Sequence, residues 1–308
     1  MFDKIFYINL AHRTDRDKNV KEQIKKLYPD SQRMNNILEK IDGVYGNKLD
    51  IPNLSSDLIT KEGKNDAMNN LSAVYIPLTK GAIGCALSHR KAYQKIIDDN
   101  LNSALILEDD IAIDPQFMNK ITQILQNCPN DYDVLFLGYH RWSILYLQKN
   151  INNLISQSSA VFGLFGYIVS NKGARKLMNI FPITKQIDSE MSSYFREPEI
   201  KTISDFIDYK TYGKYLNLIP KKENNNFTIN AYIVNPNHRL IFSDESNTST
   251  RFGTDIQIRE LFNGVYRQNE FSKNESSCIT SYNSHDTLIN IICMLLIASI
   301  VYLIVISI

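Results

Sequence analysis

Three consecutive carboxylates interrupt an apolar run, and they are the residues of this sequence best suited to do chemistry. The stretch LILEDDIAID places Glu108, Asp109 and Asp110 directly after three apolar residues, before apolar residues resume. Hard divalent cations prefer oxygen ligands, so this cluster could hold Mg²⁺ or Mn²⁺ against a diphosphate. Strand-end acids also cap helices, and the position alone supports both interpretations.

The spacing within this cluster separates the roles of its members. Alternate residues of an extended chain point to the same side. Glu108 and Asp110 are therefore expected to converge, whereas Asp109 faces away. Asp114, which directly precedes Pro115, is the expected cap of the next helix.

Polar and basic residues follow the first apolar run of the chain. The segment INLAHRTDR contains Asn9, Arg13 and Arg16. Arginine pairs bidentately with phosphate, although two solvated arginines would give the same pattern.

The segment LTKGAIGCALSHRKAY offers a second polar group on a predicted helix. It contains Lys80, Ser88 and His89, and its glycines permit close backbone approach. A histidine on a helix is more often structural than catalytic, and no nucleophile–base–acid set accompanies it. Cys85, in an apolar context, is interpreted as a small core residue.

Further candidates are scattered along the chain. Asp188 is a lone acid in KQIDSEM, whereas His238 and Asp244 follow a late apolar run in NPNHRLIFSDESNTS. A histidine after a strand could complete a metal shell with carboxylates, or it could be an ordinary polar residue.

Strand-like and helical patterns alternate along the chain and must position these groups. We expect strands near 4–10, 37–44, 104–109, 132–140, 164–170 and 231–238, and helices near 16–28, 81–100, 117–127 and 171–181. This alternation predicts an α/β fold with a largely parallel sheet flanked by helices. Ligands of such sheets bind beyond the carboxyl ends of strands, where the three carboxylates fall. Residues 50–75 are polar and predicted to be irregular.

Composition excludes several classes of protein. The 308 residues are enough for one large α/β domain or two small ones, and the net charge of +1 gives no indication of nucleic-acid binding. The four cysteines are widely spaced, which argues against a zinc ribbon and a dense disulfide framework.

The last 22 residues, 287–308, carry no charge. As a helix they would span about 33 Å, close to the thickness of a bilayer core. We therefore predict a domain over 1–264, a polar linker over 265–286 and one transmembrane helix over 287–308. The expected location is a membrane, with a single-pass C-terminal anchor and either side possible for the domain.

Five segments in order carry a family resemblance: INLAHRTDR, LTKGAIGCALSH, ALILEDDI, YIVSNKGARKL and NPNHRLIFSDESNTS. Together they resemble glycosyltransferase family 25, which includes lipooligosaccharide and collagen hydroxylysine galactosyltransferases. The resemblance covers roughly residues 1–255. It implies a Rossmann-like GT-A fold, a UDP-sugar donor and Mn²⁺ or Mg²⁺.

The resemblance also implies roles for individual residues. The implied metal ligands are Glu108, Asp110 and His238. The implied donor-binding residues are Asn9, Arg13, Arg16, Lys80, Ser88, His89 and Asp109. Members of this type invert the anomeric centre, which requires a base for the acceptor hydroxyl. The candidates for that base are Asp188, then Asp244 or Glu190.

The expected function is transfer of a hexose, galactose or glucose, from a UDP-sugar to a protein hydroxyl of the hydroxylysine type or to a glycan. The alternative is a membrane-anchored, non-catalytic carbohydrate-binding module. Two departures from the family pattern favour this alternative. Ala82 stands where the family often has an acidic residue, and the spacing from His238 to Ser243 is shorter than in the collagen-modifying members.

Overall fold

The computed structural model describes residues 1–69, 78–140, 143–144, 146, 148–199, 221–222 and 226–243. Met1–Val265 form one compact unit. The second unit, Tyr266–Ile308, lies outside the described residues. The division at 264 and 286 therefore stays a prediction.

Strands and helices alternate through the described chain. The strands are β1 (Lys4–Asn9), β2 (Leu38–Asp42), β3 (Ser103–Leu107), β4 (Ile111–Ile113), β5 (Val134–Gly138), β6 (Gln148–Asn150), β7 (Ile155–Ser158), β8 (Gly166–Ser170), β9 (Ala231–Val234) and β10 (Ile241–Ser243). The helices are α1 (Thr14–Leu27), α2 (Ser31–Ile37), α3 (Lys61–Asn69), α4 (Lys80–Asp98), α5 (Phe117–Asn127), α6 (Asn171–Met178) and α7 (Ile187–Ser192).

The described strands form a mixed sheet of eight in the order β2-β1-β3-β8-β5-β9-β7-β6. The pairings make β8 and β7 run opposite to the other six strands. Strands β1, β3, β5 and β9 therefore end at the same edge, which we call the carboxyl edge; the opposite edge is the amino edge. Across the ladder of β4 and β10, Ser243 is paired with Ile111, next to Asp110.

Burial explains why these segments form the sheet. Every residue of β3 (SALIL) and β5 (VLFLG) is buried, as expected for central strands covered on both faces. Helix α4 packs an apolar face that includes Ile83, Tyr93 and Ile96 into the core. The Thr79 side chain caps this helix by accepting a hydrogen bond from Ala82 N at 3.1 Å.

A close backbone approach fixes the start of α4. A Cβ atom on Gly84 would lie 2.5 Å from Val44 O, and one on Gly46 would lie 2.1 Å from Lys80 O. The loop after β2 therefore packs directly against the helix at positions where no side chain fits. This contact holds the turn of α4 that carries Cys85 at one end of the sheet.

The expected fold class needs a correction in its membrane-spanning part. Among the described residues, no helix is long and apolar enough to cross a membrane. Residues 287–308, on which that prediction rested, lie outside the described residues. One further expectation was wrong: Lys61–Asn69 is a helix rather than an irregular segment. The sheet is mostly parallel, as expected, with β8 antiparallel to both of its neighbours.

Candidate active site

The middle carboxylate of the cluster is turned into the protein. Asp109 is 7% exposed and accepts hydrogen bonds from Asn9 Nδ2 and Arg16 Nη1, both at 2.8 Å. Burial raises the pKa of Asp109, and the neighbouring Arg16 guanidinium opposes that shift. Asp109 therefore ties the end of β3 to β1 and α1.

The two arginines expected near a donor both hold carboxylates. Arg16 also lies 3.4 Å from Asp110 through its Nη2 atom. Arg13 donates to Asp15 at 3.0 and 2.9 Å, and this hydrogen-bonded pairing lowers the pKa of Asp15 to about 2. Asn9 Nδ2 additionally donates to Arg13 O at 3.0 Å, which fixes the loop after β1.

Glu108 and Asp110 are the more accessible carboxylates, with side chains 27% and 21% exposed. Burial and the charge of Glu108 raise the pKa of Asp110 to about 7, against the opposing effect of Arg16. Two carboxylates that repel one another in this way have the oxygen chemistry that a hard divalent cation needs. The pair therefore fits the Mn²⁺ or Mg²⁺ that the sequence predicted.

Glu108 also faces helix α4. Its Oε1 atom lies 3.3 Å from His89 Nε2 and 4.0 Å from Cys85 Sγ. The ligand atoms of these three residues all lie within 4.8 Å of one another. Sequence reasoning missed Cys85 as part of the site, although its spacing of four residues from His89 on a helix was a usable signal.

The third predicted metal ligand is placed differently. His238 ends the 3₁₀ turn Pro236–His238 that follows β9, so it lies at the carboxyl edge. Among the described residues, the one group of three potential ligands within 4.8 Å is that of Cys85, His89 and Glu108, without His238. Asp244 lies outside the described residues.

Asp188 lies in the first turn of α7 and accepts hydrogen bonds from Gly163 N at 3.2 Å and from Ser189 N at 2.7 Å. Burial raises the pKa of Asp188, and the hydrogen bonds from these two amides oppose that shift. Gly163 lies two residues before Phe165, whose carbonyl oxygen accepts a hydrogen bond from Glu108 N at 3.2 Å, so Asp188 is held on the side of the sheet that carries the carboxylates.

Glu190, the reserve base, is fully buried two residues further along. It accepts a hydrogen bond from Thr184 N at 2.9 Å and pairs with Lys222 at 3.2 Å, so it holds the turn before α7.

Ser88 and Lys80 differ in exposure. The buried Ser88 hydroxyl donates to Gly84 O at 2.6 Å and accepts from Val44 N at 2.8 Å. It therefore secures the contact between α4 and the loop after β2. Lys80 is exposed at the first position of α4.

Comparison with known proteins adds independent information. The family model described as "Glycosyltransferase family 25 (LPS biosynthesis protein)" matches residues 2–191. The chain is 30% identical over 192 residues to human procollagen galactosyltransferase 2, covering 60% of this chain and 29% of that protein. It is 29% identical over 224 residues to procollagen galactosyltransferase 1-B of Xenopus laevis, covering 66% and 34%.

A third relative carries a different description. The human protein named "Inactive glycosyltransferase 25 family member 3" is 27% identical over 199 residues, covering 60% of this chain and 30% of that protein. The chain spans about a third of the length of these curated relatives.

Proposed function

Since the chain belongs to glycosyltransferase family 25, we propose that it is a metal-dependent glycosyltransferase. It would move a hexose, galactose or glucose, from a UDP-sugar to a hydroxyl group with inversion. The observation that carries this proposal is the accessible pair of Glu108 and Asp110 at the carboxyl edge, with Asp188 held on the same side of the sheet through Gly163.

The carboxylate pair supports the donor side of the reaction. Glu108 and Asp110 would hold Mn²⁺ or Mg²⁺, which when bound neutralises charge on a departing nucleoside diphosphate. Asp109 keeps this pair in place because Asn9 and Arg16 hold its carboxylate on the inner side of the strand end. Preorganised charge of this kind needs no rearrangement during the reaction.

Asp188 supports the acceptor side. Inversion requires a base that takes the proton of the acceptor hydroxyl as the new glycosidic bond forms. The raised pKa of Asp188 makes it a stronger proton acceptor than an ordinary aspartate, while the Gly163 and Ser189 amides fix its orientation. The proton would end on the Asp188 carboxylate.

The relatives suggest two classes of acceptor. Two have names that specify procollagen, which favours a protein hydroxyl of the hydroxylysine type. The family description specifies lipopolysaccharide biosynthesis, which favours a glycan hydroxyl.

A non-catalytic carbohydrate-binding module is the second candidate. One relative is named an inactive member of the family. In this chain, Ala82 stands where the family pattern often has an acidic residue. Such a module would bind sugar or nucleotide without turnover.

A donor screen separates the two candidates. Each UDP-hexose is incubated with the protein and Mn²⁺, with and without a hydroxylysine-containing collagen peptide or a lipooligosaccharide acceptor, and UDP release is measured. We expect release that needs both the cation and one acceptor class. Binding of a UDP-hexose by calorimetry without any UDP release would instead support the binding module.

A further inference from the structure

The side chains of Cys85, His89 and Glu108 come together beside the proposed donor site. Cys85 and His89 lie one turn apart on α4, and Glu108 follows β3. His89 is 1% exposed, Cys85 is partly exposed and the Glu108 side chain is 27% exposed. The cluster is therefore built from the protein interior but open to solvent on one side.

A chain of buried hydrogen bonds runs from His89 Nδ1 through the Tyr167 hydroxyl to the Tyr93 hydroxyl. The Tyr93 hydroxyl donates to Met191 Sδ at 3.7 Å, since a thioether has no proton to give. The Tyr167 hydroxyl lies 2.9 Å from the Tyr93 oxygen and 2.7 Å from His89 Nδ1, so its oxygen is placed to accept a hydrogen bond from Nδ1–H.

The Tyr167 oxygen gives a His89 ring that binds a cation through Nε2 a partner for its Nδ1–H. In that tautomer Nε2 presents a lone pair, and Glu108 Oε1 lies 3.3 Å from it. A proton or a cation must then lie between these two atoms, and a cation there would be bound by both of them. The Cys85 sulfur, 4.0 Å from the same oxygen, adds a third ligand atom.

We propose that Cys85, His89 and Glu108 form a binding site for a thiophilic divalent cation, with Zn²⁺ as the best fit. Tetrahedral zinc with Zn–S of about 2.3 Å and Zn–N and Zn–O of about 2.0–2.2 Å separates neighbouring ligand atoms by about 3.4–3.6 Å. Two of the separations are 3.3 and 4.0 Å and all three are within 4.8 Å, so side-chain adjustments of about 1 Å or less bring the three atoms to that geometry. On binding, Cys85 loses its thiol proton to solvent and water takes the open fourth position.

This site differs in chemistry from the oxygen pair of the donor site. A thiolate and an imidazole select zinc or cobalt, whereas carboxylates suit manganese and magnesium. Glu108 belongs to both groups, so bound zinc competes with Asp110 for it. Zinc should therefore inhibit sugar transfer, a consequence that rests on the proposed function.

Cobalt provides a direct test of the site, because a cobalt–thiolate bond gives an intense charge-transfer absorption. The full chain is titrated with Co²⁺ as wild type, Cys85→Ser and Cys128→Ser; Cys128 is a buried cysteine after α5 and serves as the matched control. We expect the band in wild type and Cys128→Ser and its loss in Cys85→Ser. A wild type without the band, or a Cys85→Ser protein that keeps it, would overturn the proposal.

A second variant tests the hydrogen-bond chain. Tyr167→Phe keeps the ring that stacks on Phe136 at 5.6 Å but removes the acceptor of His89 Nδ1–H. Loss of such an outer partner should weaken zinc affinity by about 10- to 100-fold in a chelator competition. Unchanged zinc affinity would refute the role of these hydrogen bonds in supporting the site. A Cys85-dependent cobalt band without zinc inhibition would keep the site and count against the role of Glu108 in sugar transfer.

Discussion

At the amino edge of the sheet, Asp133 precedes β5 and is fully buried. Its Oδ2 atom accepts hydrogen bonds from Lys176 Nζ and, at 2.8 Å, from Asn230 N. One carboxylate is thus matched by one cation, and the pair joins β5, α6 and the start of β9.

At the carboxyl edge, three carboxylates share the charge of Arg16. Asp109 is matched to it in the same way as Asp133 is to Lys176. Glu108 and Asp110 remain partly exposed, and burial together with the charge of Glu108 raises the pKa of Asp110. A balanced buried pair serves the fold, whereas an unbalanced accessible pair is poised for a cation. This difference supports the proposal that the chemistry takes place at the carboxyl edge.

The largest expected effect is that of changing the proposed base, Asp188. Asp188→Asn keeps the size of the side chain but cannot take a proton, so kcat for sugar transfer should fall by about 10²–10⁴-fold. Steady-state kinetics with circular dichroism as a folding check measure this. If kcat is retained in the folded variant, Asp188 is not the base.

The amino edge should respond in stability rather than in activity. Asp133→Asn leaves the partly buried Lys176 ammonium without its counter-charge, which should cost about 3 kcal/mol of unfolding free energy, the low end for breaking a buried pair. Urea denaturation measures the cost. The kcat of the folded fraction should stay at the wild-type value; a fall in kcat with unchanged stability would break the comparison.

Asp110→Asn should have a smaller, pH-dependent effect that raises the free energy of unfolding instead of lowering it. The folded pKa of Asp110 is about 7 against an ordinary value of 3.8, so the folded protein keeps a proton there that the unfolded chain has lost. Ionising Asp110 therefore reduces stability as pH rises through this window, and the full cost is present above about pH 7.

Removal of that charge should stabilise the metal-free protein by about 1–3 kcal/mol at about pH 8, and by little at about pH 4. Thermal denaturation in the presence of a chelator at both pH values is the measurement. Equal stability of Asp110→Asn and wild type at the higher pH would mean that the carboxylates at this edge are not in conflict.

Local sequence patterns predicted the helices and strands that carry the site well, but they did not predict how the strands pair. Helix α5 lies where it was expected, and alternation in an extended strand end separated Asp109 from Glu108. The direction of β8 could not be predicted, because a buried strand of either direction shows the same apolar run. Strands β4 and β10 are three residues long and pair across more than a hundred positions of the chain, which leaves no local signal.

The partners of the carboxylates also depend on long-range contacts. Arg16 was expected to face a phosphate, but it lies against Asp109, a residue that only the adjacency of β1 and β3 brings near. The grouping of Cys85 with Glu108 likewise depends on how α4 packs at the end of the sheet.

The most direct test of the account is acceptor-dependent UDP release from a UDP-hexose in the presence of Mn²⁺, compared between wild type and Asp110→Asn. We expect turnover by wild type that a chelator abolishes, and a loss of at least about 10²–10³-fold in the folded variant. Turnover by Asp110→Asn at the wild-type rate would contradict it.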